Sequence, residues 1–137
     1  MIILIVETCA NHLKQYKDYL EDKGHQVTGV QNGAEAIMVI ADQTKVFDAV
    51  ITLYEVGITI KGLAVLDAIN QSGRNVPTLL QHHEWDIRIS LNKKQLQRFL
   101  TIEVQVFPFA SFALKTGQST HIDEFLVNIN CPAQSNT

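Results

Sequence analysis

Short apolar runs alternate with stretches of helical periodicity along this chain, and that alternation restricts the fold more than any other feature. The runs are Ile2–Val6, Gln26–Val30, Asp48–Leu53, Val76–Gln81 and Ile102–Phe107. Most are apolar at nearly every position. A strand with one face in water would instead alternate apolar with polar residues, so these runs indicate a parallel sheet covered on both faces. Parallel neighbours need long crossover connections, and the segments between the runs carry the apolar spacing of helices.

The first helix is predicted to start at an Asn11 N-cap and run to about Lys23, with Leu13, Tyr16 and Leu20 inward and Gly24 ending it. Asn32-Gly33 makes a turn into a second helix through Asp42 that buries Ala36, Ile37 and Ile40. Leu63–Gln71 forms a third, and Ser90–Leu100 a fourth that carries Lys93, Lys94 and Arg98. After a long connection, Phe109–Gln118, Ser119 or Thr120 caps a fifth helix with Ile122, Phe125, Leu126 and Ile129 at i, i+3, i+4 and i+7. Five strands alternating with five helices predict a flavodoxin-like α/β three-layer sandwich whose parallel sheet has the order 2-1-3-4-5.

At 137 residues the chain is expected to form one domain, 1–130, followed over 131–137 by a flexible polar tail or the start of a linker. A hydrophobic fraction of 46% against 18% charged residues suits a folded core and excludes disorder. The net charge of -3 provides no general attraction to nucleic acid or anionic lipid, so neither is expected as a direct partner. Cys9 and Cys131 lie far apart, outside any disulfide or zinc spacing, which points to a reducing cytoplasm. The apolar start lacks a basic leader and stops at Glu7, so it reads as a strand and not a signal peptide. No apolar run reaches the ~20 residues of a membrane helix.

In doubly wound sheets, ligands and catalysis sit beyond the carboxyl ends of the strands. Those ends present Glu7, Leu53, His82 and Phe107. Several stretches leading to them resemble the receiver domain of bacterial two-component response regulators, the CheY-like superfamily. Ile3-Leu4-Ile5-Val6-Glu7 resembles its first strand and acidic end, and Asn32-Gly33-Ala34-Glu35-Ala36 its second helix opening. Phe47-Asp48-Ala49-Val50-Ile51 resembles the approach to the phosphorylation site, and Gly62-Leu63-Ala64-Val65-Leu66 the start of the third helix. Val76-Pro77-Thr78-Leu79-Leu80 resembles the fourth strand, and Phe107-Pro108-Phe109 stands where the family has Lys-Pro-Phe.

The resemblance covers about residues 2–129 and implies where phosphoryl chemistry would lie. The Mg²⁺-binding acid pair falls on Glu7 and Thr8, the phospho-acceptor aspartate on Leu53, the hydroxyl on His82 and the lysine on Phe107. Only Glu7 retains its chemistry. Leucine takes no phosphoryl group, and one carboxylate holds Mg²⁺ poorly. Thr52 points to the other side of its strand and belongs to the core, while Glu55 is a solvated loop residue. The expectation is a degenerate pseudo-receiver with no catalytic residue, bound metal or cofactor. The resemblance also implies a cis Phe107–Pro108 bond.

Other residues carry weaker signals. His82-His83-Glu84 has metal-ligand types, but neighbours on a strand point to opposite faces, so it reads as polar loop after the strand. Cys9 sits beside the crevice without a CxxC or histidine partner in sequence, and Glu7 could serve simply to cap the first helix. No P-loop, GxGxxG or GxSxG motif occurs, so the chain is not expected to be an enzyme. Trp85, Phe107, Phe109 and Phe112 cluster around the fourth predicted helix and fifth strand. In receiver domains the face of the fourth helix, fifth strand and fifth helix mediates dimerisation and partner switching, so a protein partner or second copy is expected there. The resulting reading is a phosphorylation-independent interaction module, the N-terminal domain of a response or transcriptional regulator or a stand-alone adaptor. The alternative is a sensor that takes a small molecule into the vacated crevice.

Overall fold

The computed structural model describes residues 1–53, 62–74, 76–82, 104–108 and 120–130. The apolar runs form β1 (Ile2–Val6), β2 (Gln26–Val30), β3 (Ala49–Leu53), β4 (Thr78–His82) and β5 (Val104–Pro108), joined by α1 (Ala10–Asp22), α2 (Gly33–Ala41), α3 (Gly62–Gln71) and, last in the chain, α4 (Thr120–Asn130). Every strand pair is parallel and the sheet order is β2-β1-β3-β4-β5, as the flavodoxin-like reading requires.

The two-residue period of the strands divides the core in two. Leu4, Val6, Val50 and Leu80 pack against Ala36 and Ile40 of α2 and Val65, Leu66 and Ile69 of α3. Ile3, Ile5, Ala49, Ile51 and Leu79 pack on the other side against Tyr16 and Leu20 of α1 and Ile122, Phe125 and Leu126 of α4. Each such side chain contributes roughly 1.5–3 kcal/mol when fully buried, so the two faces together hold the sheet between its helices. A hydrogen bond from Tyr19 Oη to Asp123 Oδ1, 2.6 Å long, ties α1 to α4. Ile37 is only half-buried, and Val39 packs against the core instead.

Local chemistry sets several boundaries. Asn32 accepts the Glu35 N–H at 2.8 Å through its side chain, so α2 begins at Gly33. Gly24 takes φ 92°, the left-handed conformation that lets the chain leave α1 and enter β2. Asp48 precedes β3 rather than starting it, and its carboxylate accepts the Ile2 N–H at 2.7 Å. β4 starts at Thr78 and not at Val76, because Pro77 has no N–H for the ladder and only its carbonyl bonds, to Val50 N at 3.0 Å. β5 is described over Val104–Pro108 and runs one residue past its predicted end, with Pro108 opposite His82 on an edge strand where proline is tolerated; the predicted start, 102–103, lies outside the described residues.

Two expectations are corrected. The α1 N-cap is Cys9 and not Asn11: Cys9 is extended, with φ -89° and ψ 119°, and its side chain makes no capping bond. The Phe107–Pro108 bond is trans, since no described peptide bond is cis, and extended backbone continues through it as strand. Trans is the intrinsically favoured isomer of an X–Pro bond, by about 0.5–1 kcal/mol. The predicted helix over 90–100, the loop holding Glu55, the 109–118 connection and the tail lie outside the described residues. Among the described residues, no helix is long and apolar enough to cross a membrane.

Candidate functional site

The strand register lines up the carboxyl rim. Val6 pairs with Val30 and Thr52, and Thr52 pairs with Leu80. One residue further on, Leu53 pairs with Gln81, which pairs with Phe107. His82 lies one step beyond that row, opposite Pro108. The positions assigned to the phospho-acceptor and the lysine therefore share a row two strands apart, and the hydroxyl position is the last residue of β4. His82 is strand rather than the loop residue expected, because the ladder continues through its pairing with Pro108. Thr52 is fully buried, in keeping with its core assignment.

Glu7 follows β1 and continues the phase of Ile3 and Ile5, the residues facing α1. It is 1% exposed, deep for a carboxylate. Its N–H donates to Val30 O at 3.0 Å, and its Oε2 accepts the Cys9 N–H at 2.9 Å. The second bond explains the displaced cap: the Glu7 carboxylate organises the first turn of α1 from outside the helix, where its charge also opposes the positive end of the helix dipole. In the first turn of α1, His12 Nδ1 lies 3.9 Å from Glu7 Oε1, with the imidazole 36% exposed.

This pair is what the sequence reading missed. The signal was there in principle: β1 alternation aims residue 7 at α1, and His12 lies in the first turn of that helix. Thr8, at the second acid position, is exposed, and Cys9 is a half-buried free thiol. Among the described residues, no three His, Cys, Asp or Glu side chains converge as metal ligands. What the described rim offers is a buried carboxylate that accepts hydrogen bonds, with a partly exposed imidazole beside it. His83, Glu84, Trp85, Phe109 and Phe112, and the basic Lys93, Lys94 and Arg98, lie outside the described residues.

The sequence matches no protein-family model and no curated protein. Solved structures do match. The N-terminal domain of a response regulator/sensory box/GGDEF three-domain protein from Carboxydothermus hydrogenoformans superposes with a TM-score of 0.69 at 20% identity, covering 97% of this chain and 99% of that one. A response regulator receiver protein from Sinorhizobium medicae gives 0.70 at 18% identity, covering 94% and 96%. The fold is that of a receiver domain. The response regulator TrrA from Thermotoga maritima, solved in complex with Mg²⁺-BeF, shares the receiver fold at 0.68 and 20% identity over 93% and 97% of the two chains.

Proposed function

We propose that this chain is a phosphorylation-independent receiver-fold module that acts through protein–protein contacts in bacterial signal transduction. In this role it is the regulatory N-terminal domain of a response or transcriptional regulator. The observation that carries the reading is Leu53 as the last residue of β3, in one register row with Gln81 and Phe107. None of the three is a carboxylate or a cation, so that row holds neither an acceptor for a phosphoryl group nor a charge to pair with it. Glu7, the remaining acid, is buried and bonded to the Cys9 N–H, which suits a structural carboxylate better than a metal ligand with solvated neighbours. Output then depends on contacts made by the face that includes β5, where the sequence leads one to expect Trp85, Phe109 and Phe112, which lie outside the described residues.

The test is incubation with acetyl phosphate, and separately with beryllofluoride, in the presence of Mg²⁺. Intact mass and amide chemical shifts are expected to stay as they are. Recovery of an acyl phosphate on any carboxylate would overturn the reading. A second reading, a small-molecule sensor, draws on the half-exposed His12 beside the buried Glu7, which gives the crevice a polar anchor. Chemical-shift changes confined to Glu7, Thr8 and His12 on titration with small carboxylic acids and amines would favour it; an unresponsive crevice favours the interaction module.

A further inference from the structure

The edge strand β2 points to an interface on the opposite side of the sheet from β5. Its inner side is fixed by two bonds: Gln26 N–H donates to Met1 O, and Val30 O accepts from Glu7 N–H. Backbone groups of a parallel strand alternate between its two sides, so Val27 and Gly29 turn their N–H and C=O groups away from β1. β2 ends the sheet, and among the described residues no strand lies beyond it. Monomeric proteins blunt such an edge with charge, proline or a bulge. Gln26-Val27-Thr28-Gly29-Val30 has no charged residue and no proline, and its pairing with β1 is continuous, without a bulge.

We infer that β2 pairs antiparallel with β2 of a second copy of this chain, about a two-fold axis at Thr28, extending the sheet across both molecules. In that register Val27 N–H donates to Gly29 O of the second copy and Gly29 N–H to its Val27 O, with the symmetry equivalents completing the ladder. The side chains match this register. Gly29 is bare, and Leu13 of α1 overhangs it so closely that an added Cβ would lie 2.9 Å from Leu13 Cδ1. Val27 of the second copy stands directly opposite Gly29, beside the Leu13 side chain that already covers the glycine. Val27 and Leu13 are both half-buried hydrophobics that such pairing covers further.

The ends of the strands match as well. His25, whose Nδ1 accepts from Met1 N and which therefore carries its proton on Nε2, faces Gln31 of the second copy, where the Glu35 carboxylate is held against the Gln31 N–H. A parallel arrangement of the two edges would set His25 beside His25 and forfeit that donor–acceptor match. An unrelated peptide strand could use the same backbone groups, but it would not carry the Val27, Gly29 and Glu35 complements.

The experiment is sedimentation of the wild-type chain from micromolar to near-millimolar concentration, with amide hydrogen exchange at both ends of the range. A dimer is expected at the upper end, with Val27 and Gly29 amides protected there and exchanging on dilution. Thr28→Lys sets like charges directly across the axis and should weaken dimerisation about tenfold or more while leaving the circular dichroism unchanged. In a Cys9→Ser, Cys131→Ser background, Thr28→Cys should form an intermolecular disulfide on mild oxidation. The facing Cα atoms of such a pair stand about 4.5 Å apart, within the roughly 4.4–6.8 Å a disulfide spans. A wild-type chain that stays monomeric throughout overturns the inference. So does a dimer that survives Thr28→Lys, fails to cross-link through Thr28→Cys, and leaves the Val27 and Gly29 amides unprotected.

Discussion

Replacing Glu7 separates a structural carboxylate from a metal ligand by the sign of the effect. In a working acidic pocket the carboxylates repel one another, and neutralising one relieves that repulsion. Here Glu7 is buried to 1% exposure and its Oε2 holds the Cys9 N–H at 2.9 Å. Glu7→Ala removes a charge-assisted hydrogen bond, worth roughly 1.5–3 kcal/mol, and leaves the Cys9 donor short of its acceptor. Deleting the buried Cγ methylene adds about 1 kcal/mol. The sum is about 2.5–4 kcal/mol. At roughly 3–5 °C per kcal/mol for a domain of this size, Tm falls by about 8–20 °C. Glu7→Gln retains an acceptor for Cys9 and costs about 1 kcal/mol. Urea unfolding followed by circular dichroism, with an unchanged m-value, measures both variants, and each is repeated with millimolar Mg²⁺. The reasoning is refuted if Glu7→Gln is more stable than wild type, or if Mg²⁺ stabilises wild type but not Glu7→Gln.

Arg74 closes the carboxyl end of α2: its Nε donates to Ile40 O at 3.0 Å, its guanidinium to Asp42 O at 2.7 Å, and it stacks 4.9 Å from the Phe47 ring centroid. Arg74→Ala should cost about 1–2 kcal/mol in urea unfolding, and Arg74→Lys should recover less than half, since an ammonium cannot fork to both carbonyls. The His25 pKa is lowered from 6.5 first by desolvation, then by the neighbouring N-terminal ammonium and Lys23. The unfolded chain therefore binds this proton more readily than the folded one. The contribution of His25 is intact above pH 6.5 and is lost as pH falls from there through the lower folded value. Stability measured against pH should drop over that window in wild type and stay flatter in His25→Gln.

What could be read from the sequence was local or periodic. Asn32-Gly33-Ala34-Glu35 announces a helix start because cap and acceptor lie three residues apart, and the structure closes that pair at 2.8 Å. Gly24 needed only the rule that α1 must end in a conformation other residues avoid. The strand order followed from the crossovers and the core faces from alternation. The errors share a cause, since each depended on a partner remote in sequence or on competition between neighbours. Asn11 is a good capping residue on its own, yet the first turn of α1 is set by Glu7 from the end of β1. The start of β4 and the end of β5 were placed by hydrophobicity, while the ladder obeyed Pro77 at one and the His82–Pro108 pairing at the other. Arg74 gave no sign of its role because its acceptors on α2 lie more than thirty residues away.

The same division explains how a receiver fold can stand at 18–20% identity to receiver proteins. The sheet asks of its inner positions only apolar shape at the right phase, and Ile3, Ile5, Val50, Ile51, Leu79 and Leu80 meet that demand with no reference to what lies past the strand ends. Rim positions carry little of the packing energy, so their identities are set by chemistry and not by folding. Leu53 at the end of β3 is therefore compatible with an intact fold, and the stability of the domain contains no information about its phosphoryl chemistry. Glu7 is the exception, because it serves both layers of the argument: it stands at the rim and also builds the first turn of α1. An acid kept for that reason would persist in a chain with no metal to bind, which is why its presence alone does not argue for an active site and why the sign of its replacement does.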